Sequence, residues 1–438
     1  MVKDKVVVGI DVGTAKIATL IASIPPEGQA HVIGVSTVAS RGLRKGQIVD
    51  IEEATGAIIS SLEAAERMAG YQVNNAFISI GGGHIQSQNS RGVVAVSEPN
   101  REISLSDIQR VIDAAKAVSL PSSREIIHVL PRQFTVDSQD GIKDPIGMTG
   151  VRLEVDTHIV TGGVTALRNL EKCLSEVGVD VSGFVFAGIA SSTAVLTETE
   201  KELGVVIIDI GSGTTDICVF VEGALSYSSV IPIGARNITN DLAIGLRLSL
   251  ESAEKIKLFL GEEKKEITYP EESPAEKGIK MKKEKKDEDE IDLSTLHLPE
   301  EVNKVSKRTL IEGIIRPRLN EIFTMIGLDI KKSGFAGVTP AGIVVTGGGS
   351  RTVGLIEAAK RNLAMPVRIG MPTQVTGLID EVINPSFATS VGLILYGSKN
   401  AQRVQSTPTF TRLASITKNL PIKGVAGKIA NLVKSFLP

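Results

Sequence analysis

Tryptophan is absent from this 438-residue chain, and aromatic residues make up only 3% of it. Proteins that bind single-stranded nucleic acid stack bases on aromatic platforms, so the composition argues against that class. Cysteine is nearly absent too. Cys173 and Cys218 cannot build a disulfide framework, and both sit in apolar stretches, which reads as a reducing interior. No apolar run approaches the roughly 20 residues that span a bilayer. The apolar start ends at Asp11, too early for a signal peptide, so the chain reads as cytosolic. Acids are missing from one end. Residues 382–438 hold no Asp or Glu but carry Lys399, Arg403, Arg412, Lys418, Lys423, Lys428 and Lys434, so the formal charge of −2 conceals an acidic body with a basic tail. Such a tail suits an anionic surface.

What is present is ordinary for a folded protein: 42% hydrophobic residues, 22% charged residues and 43 glycines. The length exceeds a single compact core and predicts two lobes or more. Two stretches share one pattern. Residues 6–10 read as a buried strand, followed by the turn Asp11-Val12-Gly13-Thr14 and a second strand over 17–21. Nearly two hundred residues later the strand Val205-Val206-Ile207-Ile208 leads into Asp209-Ile210-Gly211-Ser212-Gly213-Thr214-Thr215-Asp216 and a strand over 217–221. A third strand, 343–345, runs into Gly347-Gly348-Gly349-Ser350 and a helix. The repetition predicts a pseudo-duplicated α/β protein with a hairpin opening each lobe. Between the halves of the first lobe, residues 84–163 read as short strands plus one helix over 106–118, capped by Ser104 or Ser106. In 262–290, 19 of 29 residues are charged. That density predicts a disordered insertion, with a solvated spacer as its plain role.

A polyphosphate needs clustered backbone N–H donors, which glycine permits, and a carboxylate nearby to hold Mg²⁺ through water. Each Asp-x-Gly turn offers both. One such turn alone is more often a tight hairpin, whereas two after buried strands, opposite a triple glycine, point to a nucleotide. Lys16 is placed to reach a phosphate, and a solvated edge lysine is its equal alternative. Glu254 and Lys257 lie three apart on one helical face; a surface ion pair is their plain explanation. A Rossmann site is disfavoured, since the Gly-x-Gly-x-x-Gly spacing is missing.

The order of phosphate turn, apolar helix (188–197), second phosphate turn, Glu-x-x-Lys helix, triple glycine and final helix (386–396) resembles the actin, sugar-kinase and chaperone ATPase superfamily. Within it, His128-Val129-Leu130-Pro131, Asp144-Pro145-Ile146-Gly147-Met148-Thr149-Gly150, Arg152-Leu153-Glu154, Gly188-Ile189-Ala190-Ser191-Ser192 and Arg316-Pro317-Arg318 look like the FtsA family of bacterial division proteins. The resemblance covers 5–397 and resumes in the last helix. It implies an α/β, actin-like (ribonuclease H-like) two-lobed fold with an inserted α+β subdomain and a C-terminal amphipathic helix. The expected boundaries are 1–83 with 164–203 for the first lobe core and 84–163 for the inserted subdomain. The second lobe core takes 204–240 with 341–397, and its subdomain 241–340 carries the disordered insertion 262–305. A linker, 398–421, then leads to the helix 422–438.

The resemblance also implies roles. Asp11 and Asp209 would orient Mg²⁺ and water. Gly13, Thr14, Lys16, Gly211, Gly213, Thr214 and Thr215 would contact the phosphates of ATP, Glu254 and Lys257 the ribose, and Gly347, Gly348, Gly349 and Ser350 the adenosine. Faster relatives carry Gln or Glu in the helix before the second turn to position the attacking water. The nearest counterpart here is Ala190, so at most slow ATP hydrolysis is implied. Implied partners are the acidic C-terminal peptide of FtsZ, further copies of the chain in a filament, anionic lipids and other division proteins. Arg316-Pro317-Arg318, just after an acid-rich insertion, reads as a basic patch on the second lobe that receives the FtsZ peptide. The implied place is the cytoplasmic face of the membrane at the division site.

Plotted at 100° per residue, Val425, Ala426, Ile429, Ala430, Leu432, Val433, Phe436 and Leu437 share one arc, with Lys428 and Lys434 on the opposite side. Docking on the chain's own body is the plain alternative to a bilayer. Two other functions remain open at this point: a small-molecule kinase of the same superfold, and a pilus-assembly actin-like adaptor. The first needs a catalytic carboxylate in the cleft that the sequence does not nominate and leaves the tail unexplained; the second shares the inserted module type but should lack the tethered amphipathic tail.

Overall fold

The computed structural model describes residues 5–26, 28–97, 102–262, 289–300 and 304–404. Residues up to Gly397 form one unit; 398–438 form another, of which only 398–404 are described, as the continuation of the last helix.

Two sheets carry the first unit, and both begin with a hairpin. In the first sheet the strands lie in the order Asp180–Phe186, Asn75–Ile80, Lys5–Val12, Lys16–Ile24, Ala30–Ala39 and Val375–Gly377. In the second the order is Ala224–Ile231, Thr215–Val221, Val205–Ile210, Ile343–Thr346 and Val367–Ile369. Each hairpin is antiparallel, and each first strand pairs in parallel with a later strand on its other side. Val205–Ile210 is buried at every residue, as a strand covered on both faces must be. The helix Ile51–Ala69 starts at Asp50, whose carboxylate accepts from the Glu53 N–H, and stops at Gly70 in the left-handed region. Its buried residues Ala54, Ala57, Ile58, Leu62 and Ala65 repeat at helical spacing.

The inserted module is a sheet of Gln86–Ala95, Arg152–Gly163, Arg124–Val136 and Gln139–Ile142 in that order, with one helix, Leu105–Lys116. Ser104 caps that helix reciprocally with Asp107. Ile103, Val111, Phe134, Leu153 and Val155 form its own core. Cys173 and Cys218 are buried and free.

Three expectations are corrected. The disordered insertion was expected over 262–305, but Glu262 ends the helix Leu250–Glu262, and Glu290–Asp292 pairs with Lys304–Ser306. Ile291 and Leu293 enter the second-lobe core with 5% and 0% exposure. Charge density hid a short strand whose apolar residues alternate with acids; the remainder of the insertion, 263–288, lies outside the described residues. Second, 341–397 does not belong wholly to the second lobe. Val375–Gly377 extends the first sheet by pairing with Ala30–Ala39. The last helix, Ala388–Val404, brings Val391, Leu393 and Ile394 into one core with Val7 and Leu20 of the first sheet and Ile207 and Val344 of the second. Third, that helix runs through Val404, so the linker expected from 398 begins as helix. The rest of the linker and the whole tail, with Val425, Lys428, Ile429, Leu432, Val433, Lys434, Phe436 and Leu437, lie outside the described residues.

Arg316-Pro317-Arg318 lies inside a continuous helical run. Thr309–Ile315 is a π-helical segment running directly into the helix Arg316–Lys332, with Pro317 in its first turn. Proline has no N–H to give and its ring crowds the preceding turn, which the wider π turn accommodates.

Candidate functional site

The two hairpin turns meet across a cavity of about 850 Å³. In the first, the Gly13 N–H donates to the Lys16 carbonyl at 3.1 Å; in the second, the Gly211 N–H donates to the Thr214 carbonyl at 2.9 Å. The turns touch. A side chain at Gly213 would bring its Cβ to 2.9 Å from Thr14 Cγ2 and 3.1 Å from Lys45 Cα, so any larger residue would have to push the two turns apart. Asp11, Gly13, Thr14, Lys16, Asp209, Gly211, Thr214, Glu254, Lys257, Gly347, Gly348 and Gly349 all face the cavity. Residues from four distant stretches of sequence thus share one cavity. Gly213, Thr215 and Ser350 do not face it. The Thr215 hydroxyl donates to the Ile233 carbonyl at 2.9 Å and the Ser350 hydroxyl to the Gly347 carbonyl at 2.7 Å, so both serve the backbone around the turns.

The electrostatics are those of a site short of cations. Burial pushes the Asp11 carboxyl up, against the pull of Ser79, Lys16 and Ser390. Burial, and then the charge of Asp11, push Asp209 up to about 6. Burial and the charges of Asp209 and Asp11 raise Asp216 well above the carboxylate range. Lys16 is pulled down to about 8, chiefly by burial, with Asp11 opposing and Arg351 adding to the shift. Its ammonium lies 3.4 Å from Ser386 Oγ and 3.5 Å from the centre of the Phe387 ring, so it is no solvated edge lysine.

Asp216 escaped the sequence reading although it ends the second motif. It lies directly opposite Asp209 across the hairpin, a like-charge pair that destabilises a bare sheet. Its Oδ1 is buried without a hydrogen-bond partner. Among the described residues no cluster of three or more His, Cys, Asp or Glu could by itself hold a metal ion. Two or three carboxylates around a cavity fit instead a cation that keeps most of its water and shares a phosphate, as Mg²⁺ does. Room for a ligand of nucleotide size, glycine turns, and an orphaned carboxylate oxygen together fit that group.

On the second lobe, Lys257 Nζ donates to Glu254 Oε2 at 2.7 Å and to Thr239 Oγ1 at 2.9 Å, and Thr239 Oγ1 donates to Glu254 Oε2 at 2.5 Å. The pair exists, but Lys257 is buried, and the plain surface pair is excluded for it. Ala190 does not face the cavity: its carbonyl oxygen packs against the last helix, 1.8 Å from where a Cβ on Gly392 would stand. Ala187 faces the cavity from the same helix, Ala187–Val195, and offers only a methyl group. Arg318 grips Asp241 with Nε at 2.6 Å and Nη2 at 2.9 Å and also pairs with Glu321; Arg316 pairs with Glu312. Neither arginine is an unpaired cation. Arg236, Arg351, Ser386 and Thr389 also line the cavity and went unnominated, since tertiary contact rather than motif brings them there.

A family model described as the SHS2 domain inserted in FTSA matches residues 82–161, and one described as Cell division protein FtsA matches residues 206–392. The chain is 40% identical over 393 residues to the Cell division protein FtsA of Pseudomonas aeruginosa, covering 90% of this chain and 89% of that one. It is 39% identical over 432 residues to its namesake in Borreliella burgdorferi, covering 98% and 97%. With the Escherichia coli protein of that name it shares 34% over 403 residues. Among solved structures it resembles the PilM-PilN type IV pilus biogenesis complex (TM-score 0.61, 14% identity, 89% of this chain and 98% of that one). It also resembles MreB5 of Spiroplasma citri bound to ADP (TM-score 0.51, 13% identity, 92% and 99%). These likenesses support the actin-like fold with its inserted module. No helix among the described residues is long and apolar enough to cross a membrane.

Proposed function

The chain belongs to the FtsA family of actin-like cell division proteins, and from that premise we propose that it binds Mg·ATP between its two hairpins and fastens the FtsZ ring to the cytoplasmic face of the membrane. The observation that carries the nucleotide part is the meeting of both glycine turns, the buried carboxylates of Asp209 and Asp216, the half-buried Asp11 and Lys16 around one cavity. In this reading the N–H groups of the turns at Gly13 and Gly211, with Thr14, Thr214 and Lys16, hold phosphates. Asp11 and Asp209 hold the hydrated cation, and Glu254 with Lys257 meets the ribose. The triple glycine flanks the adenosine. Bound Mg²⁺ would supply the positive charge that the carboxylates and a polyphosphate together require. Helix Ala187–Val195 presents Ala187 and no carboxamide to the cavity, which supports slow turnover and a nucleotide that acts chiefly as a switch.

The membrane part rests on the tail. One amphipathic helix with few large apolar residues binds a bilayer marginally; each lysine near an anionic leaflet adds roughly 1 kcal/mol. Copies joined in a filament hold by avidity. The acidic FtsZ peptide is assigned to the second lobe around Arg316 and Arg318, where it would compete with Asp241, Glu312 and Glu321 for the guanidinium groups. Relatives 34–40% identical carry the division name, which displaces the kinase and pilus-adaptor alternatives. Calorimetry tests the nucleotide site: Asp209→Asn should weaken Mg·ATP binding by at least about tenfold, or about 1.4 kcal/mol. Unchanged affinity would overturn the assignment of the second hairpin.

A further inference from the structure

Three hydroxyls at the start of the last helix remain without a part in this account. Pro385–Phe387 is a 3-10 turn that continues into Ala388–Val404. Ser386, Thr389 and Ser390 stand at i, i+3 and i+4, the spacing that puts side chains on one helical face. Each meets a different charged group of the cleft. Ser386 Oγ accepts from Lys16 Nζ at 3.4 Å, Thr389 Oγ1 donates to Asp209 Oδ2 at 3.1 Å, and Ser390 Oγ donates to Asp11 Oδ2 at 3.4 Å. The partners are 370, 180 and 379 residues away in sequence, so nothing local requires these contacts. Thr389 and Ser390 are buried, and burying a hydroxyl is worthwhile only where it has a partner.

We propose that Thr389, with Ser390 beside it, positions the hairpin carboxylates for a metal-bound nucleotide, so that the last helix is part of the cation site. The inference rests on the nucleotide reading and deepens it. Asp209 has two soft side-chain torsions, and both of its oxygens are constrained. Oδ2 takes the Thr389 hydroxyl; Oδ1 lies against Gly347, where a Cβ would come within 2.2 Å of it. Asp11 is held likewise, with Oδ1 accepting from Ser79 Oγ at 2.7 Å and Oδ2 from Ser390. A cation bound through ordered water tolerates little drift in the groups that orient its shell. One helical face therefore sets the aim of both acids, one from each hairpin, while Ser386 on the same face holds Lys16.

The test is calorimetric titration of the full chain with ATP, in Mg²⁺ and in EDTA, for the wild type, Thr389→Val, Thr389→Ser and Ser390→Ala. Valine keeps the volume of threonine and removes the hydroxyl. Thr389→Val should lose about tenfold in Mg·ATP affinity and less than about twofold for ATP in EDTA, with Thr389→Ser restoring the loss. Ser390→Ala should act in the same direction and more weakly, because its contact is longer. Equal affinities for Thr389→Val and the wild type in Mg²⁺ would overturn the proposal. So would an equal loss with and without Mg²⁺, accompanied by a lower Tm and no rescue by serine, since that is a packing effect. If Thr389→Val does not fold, Ser390→Ala and Thr389→Ser decide by the same comparison. A wild type that binds no ATP in either buffer would overturn the nucleotide reading itself.

Discussion

Asp209→Asn should make the nucleotide-free protein more stable even though Asp209 is proposed to hold the cation. Asp209 is 6% exposed, and its carboxyl is pushed from 3.8 to about 6, by burial first and the charge of Asp11 second, with the Ser191 and Thr389 hydroxyls opposing. One pKa unit corresponds to about 1.4 kcal/mol, so the shift places about 3 kcal/mol against folding once the group is ionised. The sign follows from proton counting. Between 3.8 and about 6 the folded chain keeps the proton that the unfolded chain has released, so stability falls as pH rises through that window and stays low above it. Asparagine carries no charge at any pH, and its carbonyl oxygen can still accept from Thr389. Urea unfolding without nucleotide should find the variant more stable than the wild type by about 2 to 3 kcal/mol near pH 8, with the gap shrinking toward zero near pH 4. Carboxylates remote from the site titrate alike in both proteins, and Asp216, relieved of the raising effect of the Asp209 charge, shifts the gap in the same direction. A variant no more stable than the wild type near pH 8, or a gap that persists unchanged at pH 4, would refute the claim that burying the ionised Asp209 costs stability.

Leu293→Ala should destabilise the chain by about 2 to 4 kcal/mol in urea unfolding, because the side chain is fully buried in the second-lobe core; a change near zero would mean that 289–300 adds nothing to that core. Arg318→Glu sets like charge beside Asp241 and Glu321 and should cost on the order of 1 to 3 kcal/mol of stability. Below its unfolding temperature it should also bind the acidic FtsZ peptide more slowly, most visibly at low salt; identical binding across a salt series would move the peptide site elsewhere.

The hairpins were legible because each joins two strong local signals, a run of β-branched residues and an Asp-x-Gly turn, and the repetition doubled them. Ser104 announced its helix for the same local reason. Asp216 was in plain view but acquires meaning only through register, when the hairpin sets it opposite Asp209. Ser386, Thr389 and Ser390 show helical spacing in the sequence, yet their partners lie in hairpins more than 170 residues away. Val375–Gly377 is three residues long and pairs with a strand that precedes it by more than 300 residues, which no local pattern encodes. The segment 289–300 was misjudged because composition averages over a window; Ile291 and Leu293 alternate with acids, and alternation outweighs charge once one face is buried. Arg316 and Arg318 read as a basic patch because sequence displays charges without their counter-ions, and Glu312, Asp241 and Glu321 supply them.

The central claim joins a nucleotide-binding body to a membrane-binding tail. It is tested most directly by sedimenting the full chain with anionic vesicles, with and without Mg·ATP, beside a form ending at Leu420. The full chain should pellet with the vesicles, more completely when ATP promotes filaments, and the shortened form should stay in the supernatant while binding ATP with unchanged affinity. A shortened form that pellets as the full chain does would contradict the account.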